Sequence, residues 1–388
     1  MKTILAISGI RSEYDILFPI IKKLSSDDRF RVKLVVTGAH LTDWHGNGLE
    51  EIRRDGFEIA DQIDSLYMTN RPTQRVKGVG SLVTALSQTV ERESPDVLIV
   101  VGDREESLAT AVVGNYMNVV VAHVGGGDTV FGNEDDPVRF AVSKLAHLHF
   151  TTCEQYADNL KRIGEEGFRV ICTGNPSLDN IRETERLDIG ELRRQLTWNI
   201  ESGKYVVLIN HPLSSEREAA GSQMGTTLDG LARFSEKHDF LVLVSRPNTD
   251  PGAYDIVAAM ERYRDNRRFI FYKNLSHAVF VNVMHHARAL IGNSSMGILE
   301  APYYGLPVVN VGNRQRGRLN AGNVEFVDHD KQLIEKALER ACFDAGYREA
   351  VRGLVNPYGD GHAADTIVNA LAAMDLSDKK WYVKETLC

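Results

Sequence analysis

The densest chemical signal in the sequence is Ile291-Gly292-Asn293-Ser294-Ser295-Met296-Gly297-Ile298-Leu299-Glu300. An apolar run ends at Ile291, and a helix opening at Ser294 or Ser295 is predicted to run to the stop signals Gly305 and Pro307. Such a helix start presents unpaired backbone N–H groups, two hydroxyls and the positive end of the helix dipole, a combination suited to phosphate. Gly297, one turn before Glu300, would let a ribose approach the helix and give both hydroxyls to the Glu300 carboxylate. The plainer reading is a serine cap and a surface glutamate. Just after the next apolar run, Gly312-Asn313-Arg314-Gln315-Arg316-Gly317-Arg318 sets three arginines on the same sheet edge. Guanidinium forks match phosphate oxygens, although at least one arginine of such a loop is expected to be solvated.

The first half offers a second set. In Ser8-Gly9-Ile10-Arg11-Ser12-Glu13-Tyr14-Asp15 a glycine turn precedes a helix, and Arg11 is placed to face a cleft. The segment is not Gly-x-Gly-x-x-Gly, so a dinucleotide cofactor is disfavoured. Asp103 and Arg104 end the apolar run of Val97 to Val101, a position that costs stability unless they serve a site or pair with each other. In His123-Val124-Gly125-Gly126-Gly127-Asp128 the glycines let backbone approach a ligand closely. Asp128, Glu134, Asp135 and Asp136 put four acidic groups within nine residues, where repulsion raises some pKa values, as acid–base chemistry requires. Asp135 and Asp136 before Pro137 equally fit the start of a helix. His211, in Ile209-Asn210-His211-Pro212, ends an apolar run at the edge expected to face the cleft. His285 and His286 point ~100° apart on a helix. His147 and His149 share a strand face without a third ligand and read as packing residues, so neither a metal site nor a cofactor is expected.

The elements that must position these residues are legible as an alternation. Short apolar runs at Ile4 to Ile7, Val32 to Val36, Val97 to Val101, Val119 to Ala122, Leu148 to Thr151 and Arg169 to Cys172 read as buried strands. Between them Ile16 to Leu24, Gly80 to Arg92, Glu105 to Met117 and Glu154 to Ile163 read as helices. The cadence restarts after Gly174-Asn175-Pro176 with strands at Tyr205 to Ile209, Phe240 to Val244, Phe269 to Tyr272, Ala289 to Ile291, Pro307 to Val311 and Val324 to Phe326. The expected fold is α/β, two Rossmann-like doubly wound domains with ligand at the carboxyl ends of the strands in an interdomain cleft. Residues 1–173 would form the first domain, carrying the carboxylates; 174–364 the second, binding phosphate; and 365–388 a helix and tail that closes the second domain or crosses back to the first.

Composition narrows the class. The 388 residues, 43% apolar and 25% charged, suggest two or three soluble domains at ~150 residues each. A net charge of −8 is the wrong sign for affinity based on nucleic-acid or membrane phosphates, so neither is an expected partner. No stretch approaches the ~20 apolar residues of a membrane span, and MKTILAISGI reads as a strand rather than a signal peptide. Cys153, Cys172, Cys342 and Cys388 are scattered, which indicates no disulfide framework and fits a reducing cytoplasm.

Taken in order, these motifs resemble the UDP-N-acetylglucosamine 2-epimerases, in particular the hydrolysing branch that starts sialic-acid, legionaminic-acid and related nonulosonic-acid synthesis. The resemblance runs from Gly9-Ile10-Arg11-Ser12-Glu13-Tyr14 through Thr37-Gly38-Ala39-His40-Leu41, Gly102-Asp103-Arg104, Asp135-Asp136 with Arg139, Asn210-His211-Pro212 and Gly292-Asn293-Ser294-Ser295 to Arg314-Gln315-Arg316-Gly317-Arg318. It implies a GT-B arrangement with UDP held mainly by the second domain and a homodimer or dimer of dimers. It also implies that Ser294, Ser295 and Arg314 hold the pyrophosphate, Glu300 the ribose, and Arg11 reaches in from the first domain. Asp15, His40, Arg104, Arg139, Asn248, Gly297 and Arg318 would complete the UDP-sugar site. Asp103, Glu134 and His211, with Asp128 and Asp135, would carry acid–base chemistry: loss of the C2 proton and UDP to give a glycal, then hydration to the 2-epimeric free sugar.

Much of the family has a glutamate where this chain has Gly125. Either Asp128 or a neighbour takes its role, or the substrate is bulkier, such as a UDP-2,4-diacetamido-2,4,6-trideoxyhexose. Two other classes remain: a GT-B glycosyltransferase, which would not turn over UDP-sugar without an acceptor, and a non-catalytic UDP-sugar sensor, which would bind and form no product.

Overall fold

The computed structural model describes every residue except 44–47, 68–72, 130–134, 249 and 385–388. The chain packs as two compact units, one of Met1–Thr129, Asp135–Arg182 and the segment from Tyr358 onward, the other of 183–357. In the first unit seven strands alternate with helices: β1 (Lys2–Ser8), β2 (Phe30–Thr37), β3 (Ile59–Ile63), β4 (Val97–Val101), β5 (Val120–Val124), β6 (Leu148–Thr151) and β7 (Val170–Cys172). They form one all-parallel sheet in the order β3-β2-β1-β4-β5-β6-β7. Apolar side chains leave both faces of the sheet because both are covered. Ile4, Ala6 and Ile99 meet Leu17, Ile20 and Ile21 of the helix Arg11–Ser25 on one side. Leu5, Ile7 and Leu98 meet Leu82, Leu86 and Ala109 of Thr73–Glu93 and Glu105–Met117 on the other.

The second unit repeats the scheme with β8 (Tyr205–Ile209), β9 (Leu241–Ser245), β10 (Phe269–Tyr272), β11 (Ala289–Gly292), β12 (Val308–Val311) and β13 (Val324–Val327). These are parallel in the order β10-β9-β8-β11-β12-β13. In each sheet the order reverses once, between β1 and β4 and between β8 and β11. Ligands of open α/β sheets bind outside the carboxyl ends of strands at such a reversal. The reversals single out Gly9–Arg11 with Gly102–Arg104 in the first unit, and Asn210–His211 with Asn293–Ser295 in the second.

Three expectations change. The strand Ile59–Ile63 was not legible, because IADQI is half-exposed at the sheet edge and shows no apolar run. The Gly174-Asn175-Pro176 turn lies within the first unit rather than between units: Asn175 N donates to Tyr358 O at 2.7 Å, and the Tyr156 and Tyr358 hydroxyls are 2.9 Å apart. Just beyond it, buried Asp179 accepts from the backbone N–H groups of Ala363 and Ala364, both at 3.0 Å. A side chain from one helix thus caps another, Ala363–Ala373, and moves the junctions to 182/183 and 357/358. That C-terminal helix buries Ile367, Val368 and Leu371 in the first unit's core. Third, the helix expected from Ser294 to Gly305 is a single α-turn, Met296–Leu299, followed by a 3-10 turn at Ala301–Tyr304. Pro302 has no N–H to continue the α ladder, and the break falls at Glu300, with φ −115°.

Candidate active site

At the reversal of the first sheet the backbone is shaped by buried polar groups. Gly9 N donates to Glu13 Oε2 at 2.8 Å, and a Cβ at Gly9 would collide with the Glu106 carboxylate. Burial, with repulsion from Glu106, holds the Glu13 carboxyl well above the usual range, and burial raises that of Glu106, with Arg104 acting against it and Glu105 adding to it. Neither was a candidate in the sequence. The available signal was a glutamate on an apolar stripe, since Glu13 precedes Leu17 and Ile20 by four and seven residues in a helix buried on that side. His40, expected to touch substrate, is instead only 3% exposed, with Nε2 2.9 Å from Ser8 Oγ. Burial lowers its pKa to about 4, so the neutral ring supports the Ser8–Gly9 turn from beneath. Arg11 Nε stands 3.4 Å from Asp15 Oδ2, one helical turn on, so Asp15 is placed as the partner of Arg11.

Asp103 and Arg104 do not pair with each other. Arg104 lies 3.7 Å from both Glu105 and Glu106, while Asp103 is held by Nη2 of Arg139. Arg139, itself 8% exposed, donates through Nη1 to Gly125 O at 2.8 Å, so one guanidinium ties the ends of β4 and β5 together. His123 adds a second tie: Nε2 donates to Gly102 O at 2.7 Å, and burial with the neighbouring His149 lowers its pKa to about 3. Among the described residues a Cβ at Gly125 would meet nothing nearer than Arg139 Nη1 at 4.0 Å, while the backbone φ of +79° there favours glycine. Asp128 is buried after Gly127, whose carbonyl accepts from Asn159 at 2.9 Å. Asp135 opens the helix Asp135–Leu145, the helix-start position that the sequence allowed for it. Glu134 lies outside the described residues. His147 and His149 are packing residues as expected: His147 Nδ1 accepts from Val121 N at 3.1 Å, and His149 faces Glu165 at 3.0 Å.

In the second unit one side chain organises the reversal. The β8–β11 ladder ends with Asn293 N donating to Ile209 O at 3.1 Å. Gly292 then turns with φ +122°, a conformation and a space that admit only glycine, because a Cβ would overlap Ile209 O. Where the backbone departs, the Asn293 amide continues the pairing: Oδ1 accepts from His211 N at 2.7 Å and Nδ2 donates to His211 O at 2.8 Å. The His211 ring in turn accepts at Nδ1 from Asn248 N at 3.1 Å, while the Asn248 side chain goes to Asp250. Asn293 O accepts from Arg314 Nη1 and from buried Gln315 Nε2, both at 3.1 Å, and Gln315 Oε1 accepts from Arg318 at 2.7 Å. Arg316 is the solvated member, exposed and paired with Asp328.

Ser294 and Ser295 sit half-exposed on this loop, with Ser294 Oγ accepting from Met296 N at 3.3 Å. Glu300 is half-buried at the break in the helix. The missing side chain of Gly297 faces β12, where a Cβ would press on Val308 Cγ1 at 2.8 Å, so packing alone requires glycine there. Asn293 and Gln315 carry no signal of this role in the sequence. Nothing in a single sequence distinguishes an amide that mimics a peptide group from one that is solvated.

The family model for UDP-N-acetylglucosamine 2-epimerase matches residues 22–372. The chain belongs to that family. Among relatives, the UDP-N,N'-diacetylbacillosamine 2-epimerase (hydrolyzing) of Legionella pneumophila is 28% identical over 97% of each chain. The UDP-N-acetylglucosamine 2-epimerase of Neisseria meningitidis is also 28% identical, over 88% of each. The epimerase fold extends to solved structures: the N. meningitidis enzyme bound to UDP-GlcNAc superposes with a TM-score of 0.80 at 21% identity, covering 95% of this chain and 99% of that one. The S. aureus MnaA–UDP structure gives 0.79 at 22% identity over 96% of each chain. The architecture is thus the GT-B-like pair of Rossmann-like units of these epimerases. Among the described residues no helix is long and apolar enough to cross a membrane, and no cluster of His, Cys, Asp and Glu could hold a metal ion.

Proposed function

We propose that the protein is a hydrolysing 2-epimerase that converts UDP-N-acetylglucosamine to N-acetylmannosamine and UDP. The observation that carries this reading is the second unit's polar array. His211 is held by the side-chain amide of Asn293 and Arg314 by its backbone carbonyl, with Ser294 and Ser295 next in the chain, at the carboxyl edge of a doubly wound sheet. An array of hydroxyls, a guanidinium and an imidazole suits a diphosphate and the negative charge that grows on it as the C1–O bond breaks.

In the first step a base takes the C2 proton while UDP leaves, which gives a glycal. In the second step water adds its hydroxyl to C1 and a proton returns to C2 from the other face. The C2–H is not acidic, so departure of UDP drives the elimination, and the phosphate grip contributes directly to rate. Asp103, oriented by Arg139, and Asp128 are the carboxylates assigned to C2 and to water, with Glu134 and Asp135 nearby in sequence. Arg11 and Arg104 supply positive charge from the first unit, and Glu300 and Arg318 serve the nucleoside and phosphate side.

A second reading has an observation of its own. Gly125 carries no side chain where the resemblance implies a glutamate, which suits a substrate bulkier than N-acetylglucosamine, and the L. pneumophila relative is named for a diacetamido sugar. The test is incubation with UDP-N-acetylglucosamine and, separately, with UDP-N,N'-diacetylbacillosamine. Release of free UDP and a 2-epimeric reducing sugar from either supports hydrolysing epimerisation. A UDP-linked 2-epimer would instead indicate a non-hydrolysing enzyme, and no turnover without an acceptor a glycosyltransferase or sensor.

A further inference from the structure

We propose that Asn293 is a positioning residue that locks His211 to the phosphate loop, so that the histidine meets its ligand as a hydrogen-bond donor through Nε2. The inference rests on the role assigned to His211 above, and goes beyond it by naming what sets that role.

The geometry has two parts. The first is the clamp: an asparagine amide has the donor and acceptor of a peptide group, and here it spends both on the main chain of one residue, His211, at 2.7 and 2.8 Å. The pairing is reciprocal and planar in kind, as between two strands, so it fixes where the His211 Cα stands and how its side chain leaves the backbone. Asn293 is 6% exposed and its own carbonyl is held by Arg314 and Gln315, so the clamp is anchored rather than mobile. The residue that follows it is Ser294. A movement of His211 therefore requires movement of the serine loop and the arginine loop, and the three parts of the array keep one geometry.

The second part is the tautomer. The backbone N–H of Asn248 donates to His211 Nδ1 at 3.1 Å, and a backbone amide has only a hydrogen to offer. Nδ1 is then the acceptor nitrogen of the neutral ring, and the ring hydrogen is on Nε2. A ring in this state gives a hydrogen bond to a phosphate oxygen without transferring a proton, so His211 steadies the departing UDP as a neutral donor.

The test is a double-mutant cycle in the full chain: Asn293→Ala, His211→Gln and the pair, assayed for kcat and KM of UDP release and for thermal unfolding. Asn293→Ala is expected to lower kcat at least tenfold in the native background and less than twofold when His211 is already glutamine, because its effect passes through the histidine. A purely structural role would lower kcat by the same factor in both backgrounds, and that result overturns the proposal. Should Asn293→Ala not fold, Asn293→Asp, which keeps the acceptor and loses the donor, is run through the same cycle.

The second measurement needs no turnover. Nitrogen-15 NMR of histidine-labelled protein, with His211 assigned through His211→Gln, is expected to show hydrogen on Nε2 and a bare Nδ1. Asn293→Ala, or Asn293→Asp in its place, is expected to show a mixture of tautomers. Hydrogen on Nδ1 in the native protein, or an unchanged tautomer in the variant, overturns the positioning role whatever the enzyme's substrate. Failure of every UDP-acetamidosugar to react, with the NMR result as expected, overturns the functional reading alone.

Discussion

Replacing Arg139 with methionine removes one guanidinium that serves two strand ends at once. Its Nη2 holds the Asp103 carboxylate and its Nη1 holds Gly125 O at 2.8 Å. Methionine keeps most of the apolar stem, so loss of packing is small and the polar terms decide. Breaking a buried ion pair from one side costs about 3–5 kcal/mol, since the other charge stays behind. Asp103 is 19% exposed, so water reaches its carboxylate and the lower end of that range applies. The orphaned Gly125 carbonyl adds about 1 kcal/mol. A total near 4 kcal/mol would lower the midpoint of thermal unfolding by about 8–16 °C, at ~2–4 °C per kcal/mol for a unit of this size. Asp103→Asn in the same background removes the stranded charge and should recover about half of the loss. In turnover, Arg139→Met should lower kcat by more than about tenfold while UDP affinity stays within about threefold, because Asp103 loses its orientation but the diphosphate grip lies on other residues. A fall in stability below about 1 kcal/mol, or no recovery in the double variant, would refute the view that Arg139 orients Asp103.

Ser294→Ala combined with Ser295→Ala should weaken UDP binding about tenfold to a hundredfold in calorimetry, at ~0.5–1.5 kcal/mol per lost hydrogen bond; unchanged affinity would remove these hydroxyls from the phosphate site. Glu106→Gln bears on pH. Its folded-state pKa is raised, so the stability it contributes is present at acid pH and lost as pH rises through that raised value. The glutamine variant should therefore gain on the native protein as pH rises and gain less at acid pH, and a difference that does not change with pH would contradict a raised Glu106 carboxyl. Arg169→Met should release the C-terminal segment, because this fully buried guanidinium donates to the carbonyls of Lys380, Trp381 and Val383. Limited proteolysis should then cut beyond residue 374, and resistance equal to that of the native chain would show that the tail is held by other contacts.

The scaffold was readable because both sheets are parallel and buried on two faces, which writes each central strand as an uninterrupted apolar run. Tyr205–Ile209 and Phe269–Tyr272 fall where the runs begin and end. The edge strand Ile59–Ile63 was lost for the converse reason, since half of it faces water. Candidate residues at strand ends were found by position: Asp103, His211, Ser294 and Arg314 all lie just past β4, β8, β11 and β12. Their partners were not. Asp103 faces an arginine 36 residues on, and His211 is clamped by an asparagine 82 residues on. Such pairings depend on which strands are neighbours, and strand order is a property of the sheet rather than of any local segment. Gly297 shows the same limit, because the need for glycine beside Val308 depends on what packs against it.

The proposed reaction turns on loss and return of the proton at C2 with departure of UDP. Proton NMR of the reaction in deuterated water, with UDP-N-acetylglucosamine and with UDP-N,N'-diacetylbacillosamine, reads both events in one spectrum. The expected result is free UDP together with a reducing sugar of inverted C2 configuration that carries deuterium at C2. A product that retains its C2 hydrogen, or UDP released with a sugar of unchanged configuration, would contradict it.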